Sequence, residues 1–164
     1  LNSLENSDIK TSENIIDKFN IDQSLNDVTL CLKWLRETPQ CNGLVSTIGF
    51  GIGSNLSYLS GLWLDIESSV CYNFNGSKFF IENDTFIRRP MLLHLSNDIY
   101  ESIKIDKKEN FIENVNNIDL NIYNDCKQNF YRIADKNYNE YNTAKANKLT
   151  LGHIKNSFAK PHNT

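Results

Sequence analysis

Leu44-Val45-Ser46-Thr47-Ile48-Gly49-Phe50-Gly51-Ile52-Gly53-Ser54-Asn55 is the stretch on which the fold turns. Leu44 to Phe50 is short, β-branched and nearly all apolar, the composition of a strand buried on both faces of a parallel sheet. Glycines 49, 51 and 53 follow. After them Leu56, Tyr58, Leu59, Leu62 and Trp63 predict a helix packed back onto that strand. Strand, glycine-rich turn and helix make the first part of a βαβ unit. In such sheets ligands bind outside the carboxyl ends of the strands, so the turn is the first place to look for chemistry.

The same alternation runs outward in both directions. Upstream, Leu25, Val28, Leu32 and Leu35 recur at three- and four-residue spacing and predict a helix over Gln23–Glu37, with Trp34 beside its apolar face. Pro39 ends it, and Asn42-Gly43 is a turn signal. Downstream, Ser69 to Phe74 reads as a second strand closed by Asn75-Gly76. Pro90 to Leu95, preceded by Arg88 and Arg89, reads as a third. Ile103 to Val115 reads as a helix, and Ile118 to Tyr123 as a fourth strand with Ile118, Leu120 and Ile122 alternating. Tyr138 to Phe158 is a long closing helix with Tyr141, Ala144, Leu151, Ile154 and Phe158 among its apolar positions. The expected class is α/β, a mostly parallel sheet flanked by helices. Residues 1–22 are expected to be a loosely ordered lead-in, 23–158 the domain and 159–164 a tail. Chemistry is expected just after Phe50, Leu95 and Tyr123.

The chain has 164 residues, 40% of them hydrophobic and 23% charged, with a formal net charge of −3. These are values of a globular domain, and nothing in them argues for a nucleic-acid or membrane partner. No apolar run is long enough to span a bilayer, and no segment has the order of a signal peptide. Cys31, Cys41, Cys71 and Cys126 form no C-x-x-C pair and have no His at zinc-ligand spacing. They are expected to be inert thiols in a reducing, cytoplasmic compartment, with no metal and no cofactor. The chain opens on Leu1 and its one methionine is Met91, so a piece of a longer protein is expected.

The glycine turn admits two functional readings. A dinucleotide-binding turn wants G-x-G-x-x-G and an acidic residue closing the next strand. Here the spacing is G-x-G-x-G, and the next strand closes on Tyr72-Asn73-Phe74-Asn75, with no carboxylate. A nucleophile elbow wants two outer glycines, here Gly49 and Gly53, around a central side chain lifted above the sheet. The central residue is Gly51, so the motif's bend is present and its reactive atom is not.

On these residues the chain resembles the dienelactone hydrolases, a branch of the α/β-hydrolases. The resemblance rests on Trp34-Leu35-Arg36, Pro39, Asn42-Gly43, Val45 to Ile48 and Gly49-Phe50-Gly51-Ile52-Gly53. Leu56-Ser57-Tyr58-Leu59 and Val70-Cys71-Tyr72-Asn73 extend it. It continues through Arg89-Pro90-Met91-Leu92-Leu93-His94, Asp98, Ile122-Tyr123, Tyr138, Ala146-Asn147 and Thr150-Leu151. It covers most of this chain and lies in the carboxyl-terminal portion of the family, so the resemblance implies a partial hydrolase fold without its amino-terminal strands. It implies an ancestral hydrolysis of enol-lactones or carboxylic esters through a Cys-His-Asp triad. The nucleophile position falls on Gly51 and the base position on Gln128, in Gln128-Asn129-Phe130. The acid is retained as Asp98. The resemblance assigns the backbone N–H of Ile52 to the oxyanion hole and Arg132 to a substrate carboxylate.

Acyl transfer by this route needs a thiolate or alkoxide and a base to generate it. Glycine supplies neither, and a glutamine amide exchanges no proton near neutral pH. The expectation is a catalytically inactive chain. The alternatives are a module that binds a small carboxylate or a protein, and a residual esterase rewired through Ser54 or Cys126. Ser54 also reads as a helix-terminus hydroxyl, and Cys126 as an inert thiol. His94 reads as a structural histidine within a strand, His153 lies on the closing helix and His162 in the tail. Asp106, Lys107, Lys108, Glu109 and Glu113 read as a solvated helix face. A bared apolar sheet edge is expected to drive self-association or pairing with a missing half.

Overall fold

The computed structural model describes residues 20–74, 87, 89–105 and 116–159. Helix α1 spans Ile21–Glu37. Asn20 caps it, its side chain accepting the Gln23 N–H at 3.0 Å, so the helix takes in the last two residues of the expected lead-in. Strand β1 (Ser46–Phe50) turns at Gly51 into α2 (Ile52–Trp63). Strands β2 (Ser68–Tyr72) and β3 (Met91–Ser96) follow. Helix α3 (Asn97–Ile105) leads to β4 (Ile118–Tyr123), and α4 (Glu140–Ala159) closes the described chain. The four strands form one sheet in the order β1-β2-β3-β4, and every neighbouring pair is parallel.

Side chains alternate across this sheet and build two cores. Cys71, Met91, Leu93 and Leu95 face one side, where Leu25 of α1, Tyr58 and Leu59 of α2, and Ile99, Tyr100 and Ile103 of α3 cover them. Val70, Tyr72 and Leu92 face the other side, with Tyr123, Cys126, Phe130 and Ala146 of α4. The α2 helix lies close to the sheet. A Cβ at Gly61 would come within 2.5 Å of the Ser69 hydroxyl oxygen and 2.7 Å of the Met91 methyl.

Several expectations need correction. β1 is not buried on both faces. Among the described residues it is an edge strand, and Ile48 and Phe50 are 47% and 50% exposed, because α4 covers β2 and β3 instead. Doubly buried strands do occur, but they are the inner β2 and β3, whose residues are buried throughout. The helix expected over Ile103–Val115 begins earlier, at Asn97 directly after β3, because Asp98 supplies an acceptor for its first turn. Residues 106–115 lie outside the described residues, as do Asn75-Gly76, Arg88, His162 and most of the expected lead-in and tail. In α1 only Leu25 and Leu32 of the apolar face are buried, and Leu35 and Trp34 are exposed. In α4 the buried positions are Ala146, Thr150 and Ser157, while Tyr141 and Leu151 face outward. Among the described residues, no helix is long and apolar enough to cross a membrane.

Candidate active site

The carboxyl ends of β1, β3 and β4 lie at one end of the sheet, and the residues after them are the elbow, the acid and the Gln128 loop. Gly51 has φ 55° and ψ −122°, a conformation that side-chain-bearing residues adopt only under strain. This is the sharp strand-to-helix bend that an elbow requires. A Cβ at Gly51 would meet no atom within 4 Å, so the space above the bend is open. Gly49 is obligatory, since its Cβ would lie 2.0 Å from the Gly53 carbonyl oxygen. Gly53 is not the second half of that contact, as its own Cβ would meet nothing within 4 Å. The close approach is therefore made by Gly49 alone. Ile52 opens α2, so its N–H has no intrahelical acceptor.

Asp98 is held by donors from three residues. Its Oδ1 accepts the Ser96 hydroxyl at 2.6 Å and the Ile99 N–H at 2.9 Å. Its Oδ2 accepts the backbone N–H of Gln128 at 3.0 Å. Partial burial alone would raise its pKa, but these hydrogen bonds outweigh burial and hold the carboxyl below its ordinary value. Asp98 and Gln128 are thus adjacent, but through the main chain of Gln128. The Gln128 side chain is exposed, and the Gln128 main-chain carbonyl accepts from Asn137 Nδ2 at 3.0 Å.

Arg132 does reach the elbow. With Phe50, Gly51, Asn129 and Tyr131 it lines a cleft of about 370 Å³. Tyr131 was not singled out by the sequence, yet it lies beside the bend, lining the same cleft as Gly51 and Arg132. Burial pushes the Tyr131 phenol up, and the Gly51 N–H and Arg132 offset this only in part, so the phenol stays neutral. Its ring packs against Phe50, Tyr72 and Phe130, with centroids 5.2, 5.4 and 5.6 Å away. No periodicity could have placed Tyr131. It lies in a loop whose path is set by hydrogen bonds among Asn129, Asp135 and Asn137, and Asn129 has φ 67°.

The substitute nucleophiles are poorly placed. Ser54 is fully buried, and its hydroxyl donates to the Gly51 carbonyl at 2.5 Å. Cys126 is buried and accepts from Asn142 Nδ2 at 3.2 Å. Burial raises its thiol pKa, which the Asn142 contact only partly offsets. His94 is buried with both ring nitrogens engaged, Nδ1 with the Tyr123 hydroxyl at 2.9 Å and Nε2 with the Thr150 hydroxyl at 3.0 Å. Thr150 also contacts the Tyr72 hydroxyl at 2.9 Å, and Tyr72 donates to Asn147 Oδ1 at 3.0 Å. Desolvation, with the neighbouring His153, lowers the His94 pKa to about 4, so it is a neutral structural residue. His153 Nδ1 lies 3.6 Å from Asp119 Oδ2, on the far edge of the sheet. All four cysteines are unpaired, and among the described residues no cluster of His, Cys, Asp and Glu could hold a metal.

No family model matches the chain, and no curated protein matches it. Among solved structures, it is similar to a provisionally named dienelactone hydrolase of Klebsiella pneumoniae subsp. pneumoniae MGH 78578. The TM-score is 0.62, the identity 12%, and the match covers 85% of this chain. The chain spans 63% of that protein's length. At this identity the likeness shows a shared fold, a partial α/β-hydrolase architecture.

Proposed function

We propose that this chain is a dienelactone hydrolase-like protein in which the acyl-transfer chemistry is silent. The observation that carries this reading is Gly51, an elbow residue at φ 55° and ψ −122° with no side chain to attack an ester. The remaining acid, Asp98, accepts backbone N–H groups and has no imidazole to orient, since Gln128 stands at the base position. In proteases with such a triad, removing nucleophile and base costs on the order of a millionfold in turnover. Unpaired cysteines suit a reducing compartment, and we take the chain to act in the cytoplasm.

The test is an ester and enol-lactone hydrolysis assay on the protein and on its Gly51→Cys/Gln128→His variant. The protein is expected to match the uncatalysed rate, with the double variant gaining thiol-dependent turnover. Turnover by the unaltered protein that disappears in Ser54→Ala or Cys126→Ser would sink the reading. A second reading is favoured by Arg132 and the neutral Tyr131 phenol in one cleft: binding of a small carboxylate without turnover. Succinate or benzoate would then raise the Tm of the protein and leave that of Arg132→Ala unchanged.

A further inference from the structure

We propose that Asn42 is a self-modification site, at which the native fold turns the Gly43 nitrogen on the Asn42 side-chain amide and converts the residue to isoaspartate or aspartate. The pair lies in the loop between α1 and β1. Asn42 Oδ1 accepts the Leu44 N–H at 3.1 Å, an Asx turn that folds the side chain back along the main chain toward the Gly43 nitrogen. Attack of that nitrogen on Asn42 Cγ closes a succinimide ring. The oxygen that takes up negative charge in the attack is Oδ1, the atom the Leu44 N–H already holds. The Gly43 N–H rests on Cys41 Sγ at 3.4 Å, and sulfur is a weak acceptor that gives up a donor readily. Gly43 stands at φ 86°, and a Cβ there would meet no atom within 4 Å, so the ring closes without displacing a packed neighbour. Among the described residues Asn42 is exposed, which admits water and releases ammonia.

Solvent hydroxide takes the Gly43 N–H proton, the bond from nitrogen to Cγ forms, and the bond from Cγ to Nδ2 breaks as Nδ2 leaves with a solvent proton as ammonia. Water then opens the ring. Opening at the Cγ carbonyl leaves aspartate and the original path of the main chain. Opening at the main-chain carbonyl leaves isoaspartate, whose main chain runs through Cβ and is longer by a methylene. That extra length falls between two fastenings of the amino end of the sheet. Arg36 Nε donates to the Gly43 carbonyl at 3.1 Å, and the Val45 N–H is given to Glu67. Isoaspartate at position 42 therefore displaces the Gly43 carbonyl from Arg36, whereas aspartate leaves it in place.

Incubation of the folded protein at mildly alkaline pH, with peptide mapping by mass spectrometry at intervals, tests this against a synthetic peptide covering residues 38–46. Asn42 is expected to convert at least as fast in the folded protein as in the peptide, and faster as pH rises. Gly43→Ala is expected to slow the conversion at least about tenfold, because a side chain hinders approach of the nitrogen. Comparison of the unaltered protein with the peptide keeps the test valid if Gly43→Ala folds poorly. Aged protein carrying isoaspartate is expected to melt below Asn42→Asp, which adds the charge without the methylene. A conversion rate in the folded protein below that of the peptide overturns the proposal.

Discussion

At the amino end of the strands, Arg36 and Arg89 converge on Asp65. At the carboxyl end, Asp98 gathers backbone N–H groups and nothing charged. Arg36 at the end of α1 donates to the carbonyls of Gly43 and Asp65, at 3.1 and 2.5 Å, and lies 3.8 Å from the buried Glu67 carboxylate. Glu67 in turn accepts the Val45 N–H, and Arg89 pairs with Asp65 at 2.5 Å. These contacts tie the entries to β1, β2 and β3 and perform no chemistry. The carboxyl end has a sharp bend at Gly51 and a carboxylate, Asp98, placed by hydrogen bonds from Ser96, Ile99 and Gln128. The difference teaches that side-chain charge pairs fasten one end of the sheet, while the other is shaped by the close approach at Gly49 and by hydrogen bonds to main chain.

The contrast can be broken most sharply at Gly49. Alanine there would collide with the backbone of Gly53 and Ser54, and overpacking against rigid main chain is expected to cost about 3 kcal/mol or more. Gly53→Ala meets no atom and is expected to be neutral or to stabilise by about 0.5 kcal/mol, since glycine is a poor helix residue. Urea denaturation of the two variants measures the gap, and equal losses would remove Gly49's special role.

Between the two ends, His94 predicts an acid limb. Its pKa is about 4 in the fold against an ordinary 6.5, so the unfolded chain binds the proton first. Stability is full above about pH 6.5 and is lost as pH falls toward 4, by on the order of 3 kcal/mol. His94→Gln should flatten that limb in a pH series of denaturation curves.

Asp98→Ala removes a helix-capping acceptor and the tie to Gln128, an expected loss of about 1–2 kcal/mol. Its lowered pKa puts its own pH dependence at the acid extreme, where stability drops as pH falls through the depressed value. The variant should lose that portion of the profile and keep the His94 limb.

The smallest effect is expected at the amino end. Arg36→Ala opens a partly solvated charge cluster, for about 1 kcal/mol, with a loss that shrinks in high salt. A larger and salt-independent loss would mean that the amino end, like the carboxyl end, is held by its backbone hydrogen bonds.

The local alphabet of this protein was readable without coordinates. Leu44–Phe50 and Ile118–Tyr123 announce strands by composition and alternation, and Gly49-Phe50-Gly51-Ile52-Gly53 announces a bend with an empty centre, because these depend on neighbours in the chain. That Gly51, Asp98 and the Gln128 loop reach one end of the sheet follows from parallel strands whose carboxyl ends align. Only the folded chain decided that Ile48 and Phe50 stay exposed, since burial depends on where α4 lands and not on the strand's own apolarity. Likewise it alone brought Tyr131 beside Gly51, across a loop routed by side-chain hydrogen bonds that carry no periodic signature.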